Sequence, residues 1–325
     1  MAGGQERILR RRIKSIQSTK KITKAMELIA ASQIVRAQNR IAVSRPYQEG
    51  MARLVLDTAI GDPDAAGRLL GTPEKIERVA VLAVAADRGL CGGYNSMVFR
   101  ATERLLTTGA ADGVEHRLFT VGKKAVNYFR YRNQPVEQSF LGLSERPSFD
   151  DARAVARAVL TPFVQDEVDQ VVIVSTRFLS AGSQKVEIRQ LLPLIDPRQP
   201  GDDAFEDPTP TFELPVDGPD SGRNGYTEFE PDAAILLETL GPRAAETEIF
   251  AALLEASASE VTARQRAMAA ATDNAGELIK KYSRIMNRAR QDTITTEIME
   301  IVGGAEALRA GTDGDESGRV IETKV

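Results

Sequence analysis

The sixty residues from Arg243 to Val302, RAAETEIFAALLEASASEVTARQRAMAAATDNAGELIKKYSRIMNRARQDTITTEIMEIV, contain no proline and one glycine, Gly276. A helix of that length reaches about 90 Å at 1.5 Å rise per residue. Ala271, Ala275, Leu278, Tyr282, Ile285 and Ala289 recur at four-three spacing. After a phase shift, Ile294, Ile298, Ile301, Ala305 and Leu308 continue the pattern. That is the seam of a coiled coil carrying a stutter. Pro231-Asp232 marks the start of the helical region and Gly241-Pro242 should nick it. The expected C-terminal helix is therefore 231–308, followed by a polar disordered tail, 309–325.

The other end of the chain reads the same way. The N-terminal coiled-coil helix is expected over 1–60; from Gly4 to about Ile60 it is interrupted only by Pro46, which either kinks the helix or is accommodated near a bend, and Gly50. Apolar or small residues recur at Leu9, Ile13, Ile16, Thr19, Ile22, Met26, Ile29, Ile34, Ala37 and Ile41, again with short phase shifts. Two helices of this length cannot both pack on the small region between them, so they pair with each other most economically as an antiparallel coiled coil. That pairing should bring the basic stretch Ser18–Glu27 close to the polar cluster Asn287–Thr295.

Between the helices the period changes. The Gly/Pro-rich segment 61–73 is a linker. Val79–Ala86 is a continuous apolar run, the mark of a strand buried on both faces. It is followed by a Gly-rich turn and a helix over Asn95–Leu106. Strands over Arg117–Val121, Val136–Phe140 and Gln170–Thr176 alternate with helices over Lys123–Tyr131 and Phe149–Phe163, and Lys185–Leu192 fits an edge strand. The alternation predicts a small Rossmann-like α/β domain, 74–195, with a largely parallel sheet. Residues 196–230 form an acidic Pro/Gly-rich stretch expected to be a mobile loop, with a short strand over Tyr226–Phe229.

Composition narrows the function. The net charge is −4, but Met1–Asp57 holds twelve Lys/Arg against four Asp/Glu, while Asp196–Asp232 holds eleven acids against two bases. The basic end suits nucleic acid, a membrane surface or an acidic protein partner. One cysteine, Cys91, and one histidine, His116, exclude an intramolecular disulfide, a CxxC pair and a His-based metal cluster. No nucleophile motif is present, and no apolar run approaches the roughly 20 residues a membrane span needs.

Three segments remain as candidates. Ala86–Asn95, ADRGLCGGYN, joins a strand to a helix, where phosphate-binding loops often lie, but it is neither GxGxxG nor GxxxxGK[ST]. A tight turn needing positive φ at glycine, or an exposed docking loop displaying Asp87 and Arg88, accounts for it at least as well. Ser18–Glu27 is a basic helix face without the interleaved aromatics of a nucleic-acid binder, and solvated faces of this kind are common. Cys91 stands beside Arg88, which lowers a thiol pKa, yet it lacks a partner cysteine or histidine nearby in sequence. His116 fits an ordinary strand-start position. A nucleotide-binding α/β protein and a nucleic-acid-binding coiled coil are the alternatives to a protein-docking shaft.

Taken together, Ile13-Lys14-Ser15-Ile16 with Lys20-Lys21-Ile22-Thr23-Lys24-Ala25-Met26-Glu27, then Asp87–Asn95, then Ala271–Ala275, Asn287–Gln291 and Ile294–Ala305 resemble the F-type ATP synthase gamma subunit family over nearly the whole chain. The resemblance implies a non-catalytic central stalk without a cofactor, neither binding nucleic acid nor touching a membrane except through its c-ring. The implied partners are the alpha and beta subunits of the hexameric head, the epsilon subunit and the c-ring. The implied location is peripheral, on the cytoplasmic face of a bacterial plasma membrane. Carried over by position, Lys20, Lys21, Lys24, Met26, Arg88, Cys91, Arg290, Gln291 and Thr295 would contact the beta subunit. Tyr226, Thr227, Phe229 and Glu230 would meet the c-ring and epsilon. The acidic 196–230 loop and the C-terminal tail depart from the family pattern.

Overall fold

The computed structural model of the protein describes residues 2–61, 75–193 and 229–313. In chain order the elements are α1 (Ala2–Gly61), β1 (Arg78–Val84), α2 (Tyr94–Ala111), β2 (Glu115–Val121) and α3 (Lys123–Tyr131). Then follow β3 (Gln138–Phe140), α4 (Phe149–Val164), β4 (Gln170–Phe178), β5 (Gln184–Leu192) and α5 (Ala233–Asp313). The chain divides into two compact units, one of Met1–Met26 with Met268–Val325 and the other of Glu27–Ala267.

In the larger unit the strand order is β3-β2-β1-β4-β5. β1 runs parallel to β2 and to β4, β2 parallel to β3, and β5 closes the sheet antiparallel to β4. The apolar run in β1 is explained by its two covered faces. Ala80, Leu82 and Val84 pack with Phe119, Ile173, the α4 residues Val155 and Val159, and Leu56 and Ile249 of the long helices. Val79, Val81 and Ala83 turn the other way, onto Val98 and Phe99 of α2 and Phe129 of α3. Burial on both faces is what a parallel strand with flanking helices requires. Helix α4 starts at a reciprocal capping box. The Ser148 hydroxyl accepts from the Asp151 N–H at 3.2 Å and the Asp151 carboxylate accepts from the Ser148 N–H at 2.9 Å.

Helices α1 and α5 continue through Pro46 and through Gly241-Pro242, the places where a kink and a nick are expected. A proline removes one helical hydrogen bond. Here the turns beside it are fastened by buried side chains, Ala52, Val55 and Leu56 on α1 and Ala244, Ala245 and Ile249 on α5. Helix α2 also runs further than the Asn95–Leu106 expected, and β3 is shorter than Val136–Phe140. The linker 62–74, most of the acidic stretch 194–228 and the tail 314–325 lie outside the described residues. Helix α5 continues five residues past the expected end at Leu308.

In the smaller unit the N-terminal part of α1 pairs antiparallel with the C-terminal part of α5. The Thr272 hydroxyl donates to Thr23 Oγ1 at 2.8 Å, and the Arg12 guanidinium lies 6.0 Å from the Tyr282 ring centre. The buried seam is Leu9, Ile13 and Thr23 on α1 against Met268, Thr272 and Ala275 on α5. Half-buried Ile16 and Lys20, and Ile279, Tyr282, Met286, Ala289 and Thr293, fill the intervening four-three positions. This corrects the expected phase. Thr19, Ile22, Leu278 and Ile285, expected in the seam, are exposed, Ile22 at 61%. In the larger unit the same helix buries Ala30 and Ala37 while Ile29 is exposed. The apolar residues suggested stutters; over Leu9–Thr23 and Met268–Thr293 the helices instead keep an unbroken heptad that admits Lys20, Thr23 and Thr272 and turns several isoleucines outward, and the expected continuation at Ile294, Ile298, Ile301 and Ala305 is exposed.

Candidate partner-binding surfaces

The strand order around β1 makes a topological switch point, because β2 and β3 lie to one side of it and β4 to the other. Ligands of open α/β sheets bind at the carboxyl end of the strands at such a point. The Ala86–Asn95 loop occupies that place. Its Asp87 carboxylate accepts from the N–H of Lys123, at the start of α3, at 2.9 Å and from the N–H of Ser144 at 3.2 Å. The Asp87 N–H in turn donates to Ser144 Oγ at 3.0 Å. Burial acts to raise the Asp87 pKa, but backbone bonds from Gly142, Lys123 and Ser144 outweigh it and hold the carboxyl below its ordinary value. One amide at the start of α3 and one in the segment between β3 and α4 are thus taken by the protein's own carboxylate. The loop is built as a closed turn.

What it displays is Arg88 and Leu90. The Arg88 side chain is 74% exposed and pairs with Glu145 at 2.9 Å, while Leu90 is 62% exposed in a left-handed conformation with φ 65°. Gly92, at φ 57°, supplies the glycine that the turn needs. Cys91 points inward. It is 2% exposed, Asn95 Nδ2 donates to its Sγ at 3.2 Å, and burial followed by the Glu260 charge pushes its thiol pKa up. Cys91 is therefore not a surface contact residue, and the depressed pKa expected from its neighbour Arg88 is reversed. Leu90 takes its place on the surface, an exchange set by the backbone turn at Leu90 and Gly92 and without a signal in the sequence. His116, the second residue of β2, fits under Gly109, where an added Cβ would come within 2.3 Å of its ring.

Two further groups lie in the smaller unit. On α1, Lys21 and Lys24 are exposed, whereas Lys20 and Met26 are half-buried. Lys20 folds across Gly276 of α5, its Nζ 3.1 Å from where a Cβ would stand. On α5, Arg290, Gln291 and Thr295 are all exposed, and so is every residue from Ile294 to Ala307. The expected proximity of Ser18–Glu27 and Asn287–Thr295 is not found. The basic stretch faces Thr272 and Gly276, and Arg290 lies about 20 Å further along α5 at 1.5 Å per residue. The antiparallel register is responsible, since Tyr282 already stands opposite Arg12. Tyr226 and Thr227 lie outside the described residues. Phe229 is half-buried and Glu230 exposed, just before α5.

An apolar groove of about 570 Å³ lies apart from the Asp87 loop, lined among others by Val43, Tyr47, Phe149, Phe250 and Leu254. No described helix is long and apolar enough to cross a membrane.

Comparison with known proteins decides between a shaft and the alternatives. The ATP synthase family model matches residues 5–308. The ATP synthase gamma chain of Parafrankia sp. (strain EAN1pec) is 45% identical over 312 residues, covering 95% of this chain and 99% of the relative. This chain belongs to the ATP synthase gamma chain family. The gamma chain of Frankia casuarinae is 44% identical, with 95% and 99% of the two chains covered. Among solved structures, a chain of the Euglena gracilis mitochondrial ATP synthase OSCP/F1/c-ring assembly in rotational state 3 superposes with a TM-score of 0.66. It is 19% identical, and 99% of each chain is covered, a likeness of fold. As a gamma chain the protein is a non-catalytic subunit of the ATP synthase and forms its central rotor stalk.

Proposed function

We propose that this gamma chain passes rotation of the membrane c-ring to the alpha/beta head through three surfaces: the Arg88–Leu90 turn, the Lys21/Lys24 face of α1, and the Arg290, Gln291 and Thr295 group on α5. Lys20 and Met26 support the second surface from its half-buried edge, and Cys91 supports the first from beneath. The observation that carries this reading is the Asp87-clamped turn, which presents Arg88 and Leu90 outward from a rigid base. Cationic groups on a rotor attract an acidic lever on beta with bonds that break and reform cheaply, because exposed ion pairs are worth about 0–1 kcal/mol each. Coupling then arises because the rotor surface has a different contact energy with each beta conformation. Phe229 and Glu230, with Tyr226 and Thr227, are assigned to the c-ring and epsilon side. The subunit is peripheral, on the cytoplasmic face of a bacterial plasma membrane, and reaches that membrane through the c-ring.

The test is reconstitution with alpha, beta and epsilon subunits and membranes bearing the c-ring. The expected result is ATP-driven proton pumping restored by the chain and lowered when Arg88 is replaced by alanine. Normal pumping by Arg88→Ala, Lys21→Ala/Lys24→Ala and Arg290→Ala/Gln291→Ala/Thr295→Ala alike would remove the three-surface reading.

A further inference from the structure

Within the larger unit the two long helices are fastened to the α/β domain, and to each other, at two levels. At the first, Gln48 Nε2 of α1 donates to Glu248 Oε1 of α5 at 2.9 Å, and Arg189 Nη1 of the edge strand β5 donates to Oε2 of the same carboxylate at 3.2 Å. Glu248 is 1% exposed and Arg189 7%. At the second, the carbonyl of Glu145 accepts from Arg40 Nη2 of α1 at 3.3 Å and from Ser257 Oγ of α5 at 3.0 Å. Glu145 lies in the irregular segment between β3 and α4. There Ser144 exchanges two hydrogen bonds with Asp87, and the Glu145 carboxylate holds Arg88 at 2.9 Å. This Ser144–Glu145 strap thus joins both helices to the loop that displays Arg88.

The two levels stand to each other as rungs of one ladder. Arg40 and Gln48 are eight residues apart on α1, and Glu248 and Ser257 are nine apart on α5. At 1.5 Å per residue the rungs are about 12 Å apart on one helix and about 14 Å on the other, in antiparallel order. Between them the helices pack openly. The apolar groove of about 570 Å³ lies there, lined by Val43 and Tyr47 of α1 and by Phe250, Ala251 and Leu254 of α5, with Val43 81% exposed. Apolar contact is non-directional, and across an open groove it leaves a helix free to slide or turn. Hydrogen bonds have a preferred length and angle, so two rungs at different heights resist both motions.

We infer that the Gln48–Glu248–Arg189 and Arg40–Glu145–Ser257 rungs fix the register of α1 against α5 and of both on the α/β domain, and that turning force passes between domain and helices through them. A buried charge pair adds little stability over apolar side chains of the same volume. What a directional bond at each level adds is position. The inference rests on the chain's part in passing rotation for its purpose, but not for its geometry. Arg40, Gln48, Arg189, Glu248 and Ser257 are positioning residues in it, and none belongs to the three contact surfaces.

Distances between paired spin labels on the full-length chain test it, since the native Cys91 is buried and does not compete for the reagent. The first pair is Val35→Cys on α1 with Ile235→Cys on α5, both exposed. Each lies thirteen residues before its residue of the Gln48–Glu248 rung, about 20 Å along its helix and in opposite directions. Sliding of one helix on the other therefore changes their separation directly. The second pair, Ile235→Cys with Leu179→Cys at the exposed end of β4, reports α5 on the sheet. Arg40→Met/Gln48→Leu unties α1 from both rungs and leaves Arg189 on Glu248 and Ser257 on Glu145. The expected result is a distance distribution at least twofold wider for the first pair and unchanged for the second, with ATP-driven proton pumping in the reconstituted complex below half the parent rate. Gln48→Leu alone serves if the double variant does not fold. An unchanged first pair, or equal broadening of both pairs, would overturn the inference. A broadened first pair with undiminished pumping would overturn the passage of force through the rungs. The distances involve no contact with beta, so failure of the three-surface reading leaves them untouched.

Discussion

Gln48 of α1 donates a 2.9 Å hydrogen bond to Glu248 of α5. The other oxygen of that carboxylate takes Arg189 of β5 at 3.2 Å, and Arg189 also has Glu187 and Glu255 within 3.8 Å. Arg177 of β4 lies 3.8 Å from Glu187. The cluster thus ties both long helices to the edge of the sheet with more carboxylates than guanidiniums, at a site where Glu248 is 1% exposed.

Burial pushes Glu248 up to about 7, with Arg189 and Gln48 drawing it down and Glu255 adding to the rise. In the unfolded chain the same acid titrates near 4.5. Between those values the folded state binds the extra proton, so stability falls as pH rises. The contribution is full below pH about 4.5 and gone once pH passes about 7, with a magnitude of roughly 1–3 kcal/mol. Unfolding midpoints measured from pH 5 to 8 should show this slope, at about those values. Glu248→Gln should flatten it, and a parent-like slope in that variant would remove the assignment.

Asp87 titrates in the opposite sense. Its folded pKa is depressed, so its contribution is present above the ordinary carboxylate range and lost as pH falls through the folded value. Asp87→Ala leaves the N–H groups of Lys123 and Ser144 without their acceptor. The expected cost is about 1–3 kcal/mol, read by urea unfolding, with faster hydrogen exchange at both amides.

The Thr23–Thr272 contact tests the seam of the smaller unit. Thr272 donates to Thr23, and Thr23 donates on to the Lys20 carbonyl at 3.1 Å. Thr272→Val should cost about 1 kcal/mol by leaving a buried hydroxyl short of a partner, and Thr23→Val/Thr272→Val should recover most of it. Additive losses in the double mutant would show that the two hydroxyls do not meet.

Gly122 has φ 93°, and a Cβ there would lie 2.2 Å from the Ala85 carbonyl oxygen. Gly122→Ala therefore meets both backbone strain and a clash, with an expected loss of at least about 2 kcal/mol. Gly276→Ala meets only the flexible end of Lys20. It should be neutral, or stabilising by up to about 1 kcal/mol from helix propensity. The order of the two thermal midpoints checks the comparison.

Much of this architecture was legible in residue patterns. The apolar run of β1 announced a doubly covered strand, and the proline-poor ends announced the long helices. The seam phase was not legible, because Ile22, Ile29, Leu278 and Ile285 look like core residues. Only the pairing partner shows that Thr23 and Thr272 lie inside instead. Contact residues were legible where a side chain's direction follows from helix phase, as for Arg290 and Gln291. They were not legible in the loop, where the exchange of Cys91 for Leu90 depends on φ at single residues. The strap at Ser144–Glu145 left no periodic signal, since its importance lies in bonds to segments far away in sequence.

Rotation of this chain within the head is tested most directly by fixing the alpha/beta head to a surface, attaching a bead through Val35→Cys, an exposed position on α1, and watching the bead while ATP is hydrolysed. The account predicts continuous rotation in one direction, stopping when ATP is removed. A complex that hydrolyses ATP at its full rate while the bead on this chain stays still would contradict it.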